Sequence, residues 1–348
     1  MVDVHIPDCI LHNILDRLPT KDLARFKCVS KHWSRLIIDP YFLKFGSRRM
    51  ILLIAAGSPL HVVDPDDTSN LMFKLRFPFG NPKSKDVKCL GIFNGIAILV
   101  FKAYCVDNKS TYIRTILYNP FTAAYELVPD PHSECLNINH IYGFGYGATP
   151  DDLKIIRFSD RKPRRTESCR TFDVFSFKSN SWNRSTNKIR NVKYTSDVGT
   201  FLNGYLHWIV YKRSELMIMA LNVDSMALSD IPLPHYNYKK GRLGTLDGCL
   251  CIADIHGTQL VVSVMKEQGV WSNRYLGASL FNKFFVVSIL DGGGILMMDF
   301  SNKFIIYNTL ESSNEVMKKF SGYIKCVRGL TGVEYMVSGA SPSDLFAL

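Results

Sequence analysis

The sequence of 348 residues contains no apolar run that approaches the roughly 18 residues of a membrane-spanning helix. Its first eight residues, Met-Val-Asp-Val-His-Ile-Pro-Asp, lack the basic segment and apolar stretch of a secretory leader. The nine cysteines are odd in number and form no C-x-x-C pair, which disfavours a disulfide framework. Reduced thiols are typical of the cytoplasm and nucleus, so we expect the protein there and not at a membrane.

Motifs of catalysis are also missing. The chain has no G-x-S-x-G, H-E-x-x-H or Walker loop. The run Gly143-x-Gly145-x-Gly147 lacks the further glycine of a nucleotide-binding loop, and a strand pattern follows it where a helix should hold the phosphate. It is therefore predicted to be a turn, and we expect no enzymatic activity and no cofactor.

Histidines and cysteines show no metal-ligand spacing. His207, beside Trp208 in a strand pattern, is predicted to be a core residue. Cys249 and Cys251 alternate within an apolar run and are predicted to share one face of a strand as small core residues. Four further histidines lie near prolines or loops and are predicted to be on the surface: His61, His132, His140 and His235. No metal site is predicted.

The net charge of +11 is unevenly distributed. Residues 1–49 carry nine Lys and Arg against five Asp, which gives +4. The window Lys154–Arg170 carries seven Lys and Arg against one Asp and one Glu, which gives +5. Since the rest is nearly neutral, the charge does not indicate a general nucleic-acid-binding surface. It indicates one basic segment, within the window Lys154–Arg170.

Helical periodicity is confined to the first 45 residues. Between Asp8 and Leu18 the apolar residues are Ile10, Leu11, Ile14, Leu15 and Leu18, which form one helical stripe. Pro7 is suited to the start of this helix and Pro19 ends it. A second short helix carries Leu23 and Phe26, and a third follows Ser30, a predicted N-cap, with Trp33, Leu36 and Ile37 on one face.

Three short helices cannot hide so many apolar residues among themselves. A partner protein that completes the core is the natural solution, so the segment is predicted to be a helical docking module.

The motifs of this segment resemble an F-box across roughly residues 4–45. They are Ile6-Pro7-Asp8, Ile14-Leu15-Asp16-Arg17-Leu18-Pro19, Leu23-Ala24-Arg25-Phe26, Val29-Ser30-Lys31-His32-Trp33, Leu36-Ile37 and Asp39-Pro40-Tyr41-Phe42. The one departure is Ile6, where Leu is usual.

The resemblance implies docking on the Skp-family adaptor of an SCF-type cullin ubiquitin ligase. The adaptor-binding residues that it implies are Pro7, Ile10, Leu11, Ile14, Leu15, Leu18, Pro19, Val29, Trp33 and Leu36. Core packing within the three helices is the alternative for each, and is the role predicted for Leu23, Phe26 and Ile37. For Pro7 and Trp33 the interface is favoured, because aromatic residues anchor interfaces well.

Beyond residue 50, strand-length apolar runs alternate with turn signals. The hairpin pairs Asn94-Gly95, Asn203-Gly204, Asp247-Gly248 and Asp291-Gly292 each separate two such runs, and the last three follow one another at intervals of 44 residues. A repeat of this length with several strands per unit is typical of propeller blades. We therefore predict a kelch-like β-propeller of six imperfect blades, with a β-sandwich or two-sheet arrangement as the alternative.

Two recurring phrases support outer hairpins in this repeat. Leu117–Thr122 is similar to Ile306–Thr309, and Val174–Trp182 is similar to Val261–Val264 followed by Trp271. Both tryptophans are predicted to be packing points on outer strands. The fold prediction is thus α+β and multidomain, with a three-helix module at 1–48 and an all-β domain at 49–348.

The β region also resembles the F-box-associated domain (FBA type 1) of plant F-box proteins over roughly residues 88–310. The phrases that carry the resemblance are Gly143-Phe144-Gly145-Tyr146, Asp151–Arg157, Asn203-Gly204-Tyr205-Leu206-His207-Trp208 and Leu246-Asp247-Gly248-Cys249-Leu250. Gly147 departs from the usual Asp.

The basic segment has two interpretations. It can be a solvated loop between strands. It can also be a recognition loop for an acidic or phosphorylated target, because Arg pairs bidentately with carboxylate and phosphate. The candidate residues are Arg161, Lys162, Arg164, Arg165 and Arg170.

These observations favour a non-catalytic substrate-recognition subunit, whose F-box binds the adaptor and, through it, the cullin while the β domain binds a target protein. The alternative is a propeller that binds a small ligand or RNA, with the F-box controlling only its turnover or location. A propeller hydrolase is disfavoured because no convergent carboxylates are evident.

Overall fold

In the computed structural model of the chain, a helical module precedes an all-β propeller. The structure describes residues 6–18, 20–39, 48–55, 58–65, 72–75, 77–79, 87–105, 110–131, 140–159, 169–187, 189–190, 192–234, 241–277, 284–291, 293–301, 304–308, 317–320 and 330–347. None of the helices in these ranges is long and apolar enough to cross a membrane.

The helical module consists of α1 (Asp8–Asp16), α2 (Thr20–Phe26) and α3 (Lys31–Ile38). Pro7 occupies the N-cap of α1, as its fixed φ and missing N–H allow. Ser30 caps α3, since its hydroxyl accepts a hydrogen bond from the Trp33 amide at 3.1 Å. Helices α1 and α3 therefore begin where the sequence predicts.

The strands form six blades around a ring. Blade 1 has β1 (Arg49–Ile54), β2 (His61–Val63) and β3 (Met72–Lys74). Blade 2 has β4 (Val87–Phe93), β5 (Ile96–Cys105), β6 (Ser110–Tyr118) and β7 (Tyr125–Val128). Blade 3 has β8 (His140–Tyr146), β9 (Leu153–Ser159), β11 (Phe172–Ser176) and β12 (Ser181–Arg184), beside a two-stranded sheet of β10 (Cys169–Arg170) and β13 (Ile189–Arg190).

In blade 4 the innermost strand is divided into two pieces. The blade has β14 (Val192–Tyr194), β15 (Thr200–Leu202), β16 (Tyr205–Lys212), β17 (Glu215–Asn222) and β18 (Leu228–Pro232), and both β14 and β15 pair with β16. Blade 5 has β19 (Arg242–Leu246), β20 (Cys249–His256), β21 (Gln259–Glu267) and β22 (Val270–Gly277). Blade 6 has β23 (Phe284–Ile289), β24 (Gly294–Asp299), β25 (Phe304–Asn308) and β26 (Met317–Phe320).

A strand from the end of the chain completes blade 1. This strand, β27 (Thr331–Met336), pairs antiparallel with β1 from Arg49 opposite Met336 to Ile54 opposite Thr331. The innermost strands then follow one another around the ring in the order β27, β4, β8, β15, β19 and β23. A 3-10 helix, Pro342–Phe346, follows β27. The predicted six-bladed propeller is confirmed, and the sandwich alternative is wrong.

Each space between neighbouring blades holds one apolar cluster. In β1, Met50, Leu52 and Ile54 face blade 2, whereas Ile51 and Leu53 face blade 6. Successive side chains of a strand point to opposite faces, so a blade buried on both sides reads as a continuous apolar run. This is why the run beginning at Met50 predicts a strand.

The Asn-Gly and Asp-Gly pairs mark the same turn in three blades. Asn94-Gly95, Asn203-Gly204 and Asp247-Gly248 each join the innermost strand to the next, and all six residues have positive φ. We call the end of the propeller that bears these turns the first-turn face. The fourth predicted pair includes Gly292, which lies outside the described residues.

The two tryptophans of the recurring phrases make equivalent contacts. Trp182 in β12 donates its ring N–H to the Pro129 carbonyl at 2.7 Å, and Trp271 in β22 donates to the Pro232 carbonyl at 2.9 Å. Each carbonyl belongs to the outer edge of the preceding blade. The predicted packing points therefore fasten blade 3 to blade 2 and blade 5 to blade 4.

The prediction that the glycine run of blade 3 forms a turn is wrong for its first two glycines. Gly143 and Gly145 lie within β8 and not in a turn. A Cβ on Gly143 would lie 2.6 Å from Leu206 Cδ1 and 2.9 Å from the Trp208 ring, so glycine is needed because β8 packs closely against the side chains of β16 in blade 4.

Two histidines predicted to be on the surface are buried. His61 lies in β2 and His140 in β8, whereas His132 and His235 lie outside the described residues. Burial, with Arg157 nearby, lowers the pKa of His140 to about 4. The buried His207, whose ring Nδ1 donates a 3.3 Å hydrogen bond to the Thr200 carbonyl, is the core residue predicted.

We predict that Gly143→Ala lowers the free energy of unfolding by about 1–3 kcal/mol, because the added methyl group overpacks the boundary between blades 3 and 4. Urea denaturation measures the change. The matched control is Gly294→Ala in β24, whose new Cβ would meet its nearest atom at 3.0 Å and should cost less. Equal losses in the two variants would contradict the role assigned to Gly143.

Candidate functional site

The helical module packs directly on blades 1 and 2. Leu15, Leu23 and Ile37, one residue from each helix, are fully buried. They belong to the same apolar cluster as Met50 of blade 1 and Tyr118 of blade 2. The propeller thus supplies the core that three short helices cannot build alone.

Polar contacts fix the same junction. The Arg48 guanidinium donates to the Leu15 carbonyl at 3.4 Å, the Asp16 carbonyl at 2.5 Å and the Leu18 carbonyl. A cation at the C-terminus of α1 complements the helix dipole and satisfies carbonyls that have no partner within the helix. Burial lowers the pKa of Arg48, and the nearby Asp16 opposes that effect.

The second helix is tied to both blades. The Thr20 hydroxyl donates to the Asp64 carboxylate of blade 1 at 3.2 Å. Lys27, just after α2, donates to the Phe121 carbonyl of blade 2 at 3.1 Å, and its ammonium lies 4.7 Å from the centre of the Phe121 ring. The module is therefore held by side chains on each side of its apolar contact.

The expectation that a partner protein completes the core of the module is accordingly revised. Leu11 and Leu15 are buried, so they are not part of the surface that the module offers to a partner in this structure. Leu18, Trp33 and Leu36 are half-buried and pack against the same cluster. Pro19 lies outside the described residues.

Four of the predicted contact residues remain exposed. Pro7 is exposed, Ile10 and Ile14 are 48% and 47% exposed, and Val29 is 60% exposed. Ile10 and Ile14 are four residues apart and so lie on one face of α1. We call Pro7, Ile10, Ile14 and Val29 the apolar face of the module.

The apolar face stays exposed to solvent after the module has packed on the propeller. Exposed isoleucine and valine side chains on an otherwise satisfied module are the kind of surface that binds another protein. The Trp33 and Phe26 rings pack edge to face, with their centroids 5.6 Å apart and their planes at 83°. Trp33 therefore packs within the module.

The basic segment lies almost wholly outside the described residues. Arg161, Lys162, Arg164 and Arg165 fall outside them, and only the main chain of Arg170 is described, in β10. Its flanking strands are informative. Strand β9 runs away from the first-turn face, so Ser159 ends at the opposite face of the propeller.

The helical module joins the propeller at the other end. Arg49 begins β1 opposite Met336, at the position in blade 1 where other blades have their first turn. The module therefore lies at the first-turn face. Sequence reasoning missed this arrangement, since the closing strand β27 carries no local signal of its pairing.

Within the described part of the chain, no group of three or more His, Cys, Asp or Glu side chains could hold a metal ion. Cys251 is buried, and burial raises the pKa of its thiol to about 12. A thiol so protected is a poor nucleophile.

A three-helix module followed by a six-bladed propeller defines a class of protein, the F-box proteins with a propeller domain. Comparison with family models gives two matches: the F-box domain at residues 4–45 and the F-box associated beta propeller domain at residues 85–269. The second match spans more than half of the chain. The chain belongs to this family, and is a plant F-box protein with an F-box associated propeller domain.

Curated relatives agree with this assignment. At3g16210 of Arabidopsis thaliana, whose name places it among F-box proteins, is 28% identical over 91% of this chain and 83% of its own length. F-box protein CPR1 of the same plant is 28% identical over 76% of this chain and 70% of its own. F-box protein At3g07870, also from this plant, is 27% identical over 78% and 72%.

We predict that Leu15→Ala lowers the free energy of unfolding by about 2–5 kcal/mol, because it leaves a cavity between α1 and the blades. The neighbouring Ile14→Ala should change it by no more than about 0.5 kcal/mol, since Ile14 is exposed. Chemical denaturation of the full chain measures both. A small loss for Leu15→Ala would show that the module does not share its core with the propeller.

Proposed function

We propose that the protein is the substrate-recognition subunit of an SCF-type cullin ubiquitin ligase. The observation that carries the proposal is the apolar face of the module, which stays exposed although the module's core is complete. An F-box with a propeller domain fits a substrate-receptor role. Such a role places the protein in the cytoplasm or nucleus.

Adaptor docking is assigned to the exposed residues. Pro7, Ile10, Ile14 and Val29 would contact the Skp-family adaptor, and the half-buried Leu18, Trp33 and Leu36 would support the edge of that contact. Leu11 and Leu15 would act from beneath by holding α1 on the propeller. The adaptor in turn links the chain to the cullin.

The mechanism requires proximity and no bond chemistry from this chain. Tethering a target beside the ubiquitin-conjugating enzyme raises the effective concentration of target lysines. F-box proteins are typically non-catalytic adaptors, in keeping with the missing catalytic motifs.

We assign target binding to the propeller face opposite the module. A target held there does not compete with the adaptor for space. Two described residues that flank the basic segment lie at this face: Ser159 ends β9 there, and Phe172 pairs with Phe158 at the start of β11. The arginines of the segment would pair with carboxylates or phosphates of an acidic or phosphorylated target.

The alternative function, binding of a small ligand or RNA, finds less support. A groove of about 1070 Å³ lies beside α3 at the first-turn face. Its charged residues are four acids and one base: Asp39, Asp291, Glu334, Asp344 and Arg35. This excess of negative charge repels RNA.

The acids of the groove are also engaged in the structure of the protein. Asp291 accepts from the Thr245 hydroxyl at 2.9 Å, Glu334 pairs with Arg49 at 3.6 Å, and Asp344 caps the 3-10 helix. The groove therefore does not favour a small ligand over a protein target.

We predict that Val29→Glu weakens binding to a purified Skp-family adaptor at least about tenfold, because a charge is placed on the apolar face. Calorimetric titration of the full chain measures the affinity. The control is Val270→Glu, which changes a 57% exposed valine in β22 of the propeller and should leave the affinity as it is. Wild-type affinity for Val29→Glu would remove this residue from the interface.

Replacing Arg161, Lys162, Arg164 and Arg165 by Glu should abolish capture of acidic or phosphorylated targets, because like charges then face each other. Proximity labelling in plant cells with full-length chains that also carry Val29→Glu, which should block adaptor docking and so retain targets, compares the targets bound by each variant. Reversing Lys266 and Arg213, which lie in blades 5 and 4, is the control. If the charge-reversed variant retains every target, the basic segment is not the recognition loop.

A further inference from the structure

Beyond its last strand the chain continues along the first-turn face. We call residues 337–347 the strap. It begins where the chain enters the propeller, since the Val337 amide donates to the Arg48 carbonyl at 3.0 Å. From there it passes blade 2 and reaches blade 3, so one short segment contacts three blades.

The strap is held at its centre by a buried asparagine. Asn119, in the turn between β6 and β7, is fully buried, and its side-chain N–H2 donates to the Ser338 and Ala340 carbonyls, both at 2.9 Å. Its side-chain oxygen accepts from the Phe121 and Thr122 amides at 2.9 and 3.1 Å. All hydrogen-bonding groups of this amide are therefore used.

Blade 4 contains the same turn without the strap. The side-chain oxygen of Asn222, the last residue of β17, accepts from the Asp224 and Ser225 amides at 3.0 and 2.8 Å. In both turns the main-chain N–H of the asparagine donates to the carbonyl of an alanine five residues later, at 2.9 Å. The turn itself needs only the side-chain oxygen, so the two bonds from the nitrogen of Asn119 serve the strap.

The strap also touches the helical module. A Cβ placed on Gly339 would lie 2.1 Å from the carbonyl oxygen of Ile38, the last residue of α3. Glycine is required for this approach because main chain meets main chain, and neither side can move away as a flexible side chain would. The end of α3 thus rests on the strap.

The far end of the strap is anchored between blades 2 and 3. Ser341 and Asp344 form a capping box for the 3-10 helix, and Pro342 and Leu345 are buried. The Phe346 ring lies 5.6 Å from that of Phe177, in the turn between β11 and β12. With both ends fixed, the segment beneath α3 cannot shift freely.

We propose that the strap, held by Asn119, is a positioning element that fixes the orientation of the helical module relative to the propeller. The proposal deepens the proposed function, on which its biological meaning rests. A fixed orientation sets the distance between a docked adaptor and a target bound at the opposite face. Loss of the strap would leave Leu15 of α1 and Leu23 of α2 packed on the propeller but would let the end of α3 move.

The variant Asn119→Asp tests the proposal. It keeps the oxygen that the turn needs and replaces the donor by an oxygen that repels the Ser338 and Ala340 carbonyls. Asn222→Asp is the matched control. Spin labels introduced as unnatural amino acids at the exposed Arg35 of α3 and at Gln268 of blade 5 report the distance between α3 and the propeller by pulsed electron resonance.

Wild type and Asn222→Asp are expected to give one narrow distance distribution, and Asn119→Asp a broader one. Hydrogen exchange in α3 should also become about tenfold or more faster in Asn119→Asp, as two hydrogen bonds are lost. An unchanged distribution and unchanged exchange in Asn119→Asp would overturn the proposal.

Two further measurements separate positioning from folding and from adaptor binding. Gly339→Ala, which leaves Asn119 intact, should shift the mean distance by pushing α3 off the strap. Adaptor affinity should be equal in wild type and Asn119→Asp, whereas joint loss of affinity and of cooperative unfolding would show that Asn119 serves folding only. If the wild-type chain binds no adaptor but Asn119→Asp still shows the change in distance, the proposed function is wrong and the positioning role of the strap holds.

Discussion

The pairing of β27 with β1 is the interaction on which the rest of the structure depends. It joins the beginning and the end of the propeller in blade 1 and closes the ring, and it gives β1 a partner on its inner side. An unpaired inner edge at β1 would attract other chains, and the pairing with β27 covers it. The entropic cost of closing so long a loop is modest, because it grows only with the logarithm of loop length.

Closure at this point also determines where the remaining segments lie. The chain enters blade 1 at Arg48 and leaves it at Val337, and these two residues are hydrogen-bonded. The helical module and the strap therefore start side by side at the first-turn face. The module then packs on blades 1 and 2, and its apolar face points away from that contact. The proposed adaptor surface is the part of the module that this packing leaves exposed.

Much of this architecture could be predicted from local sequence. Asn203-Gly204 and Asp247-Gly248 require positive φ whatever surrounds them, so they mark blade turns reliably. The caps of α1 and α3 depend on neighbouring residues and were predicted for the same reason. Gly143 and His140 were misplaced because their roles come from residues of another blade or from burial, which local patterns do not reveal.

The candidate site was only partly predictable. The helical stripe of α1 includes Leu11 and Leu15 as well as Ile10 and Ile14, and periodicity cannot say which half faces the propeller. The strap was missed because its contacts join residues more than 200 positions apart, such as Asn119 and Ser338. These contacts form only when the ring closes and brings the segment after β27 beside blade 2, so local sequence patterns do not reveal them.

Native-state hydrogen exchange on the full chain tests the central claim, that the helical module and the propeller share one core. The account predicts that the amides of Leu15 in α1 and Leu23 in α2 exchange through the same opening as those of β1 and β27. Their opening free energies and denaturant dependence should then coincide. Exchange of the helical amides through a separate and much less costly opening, with β1 and β27 still protected, would contradict it.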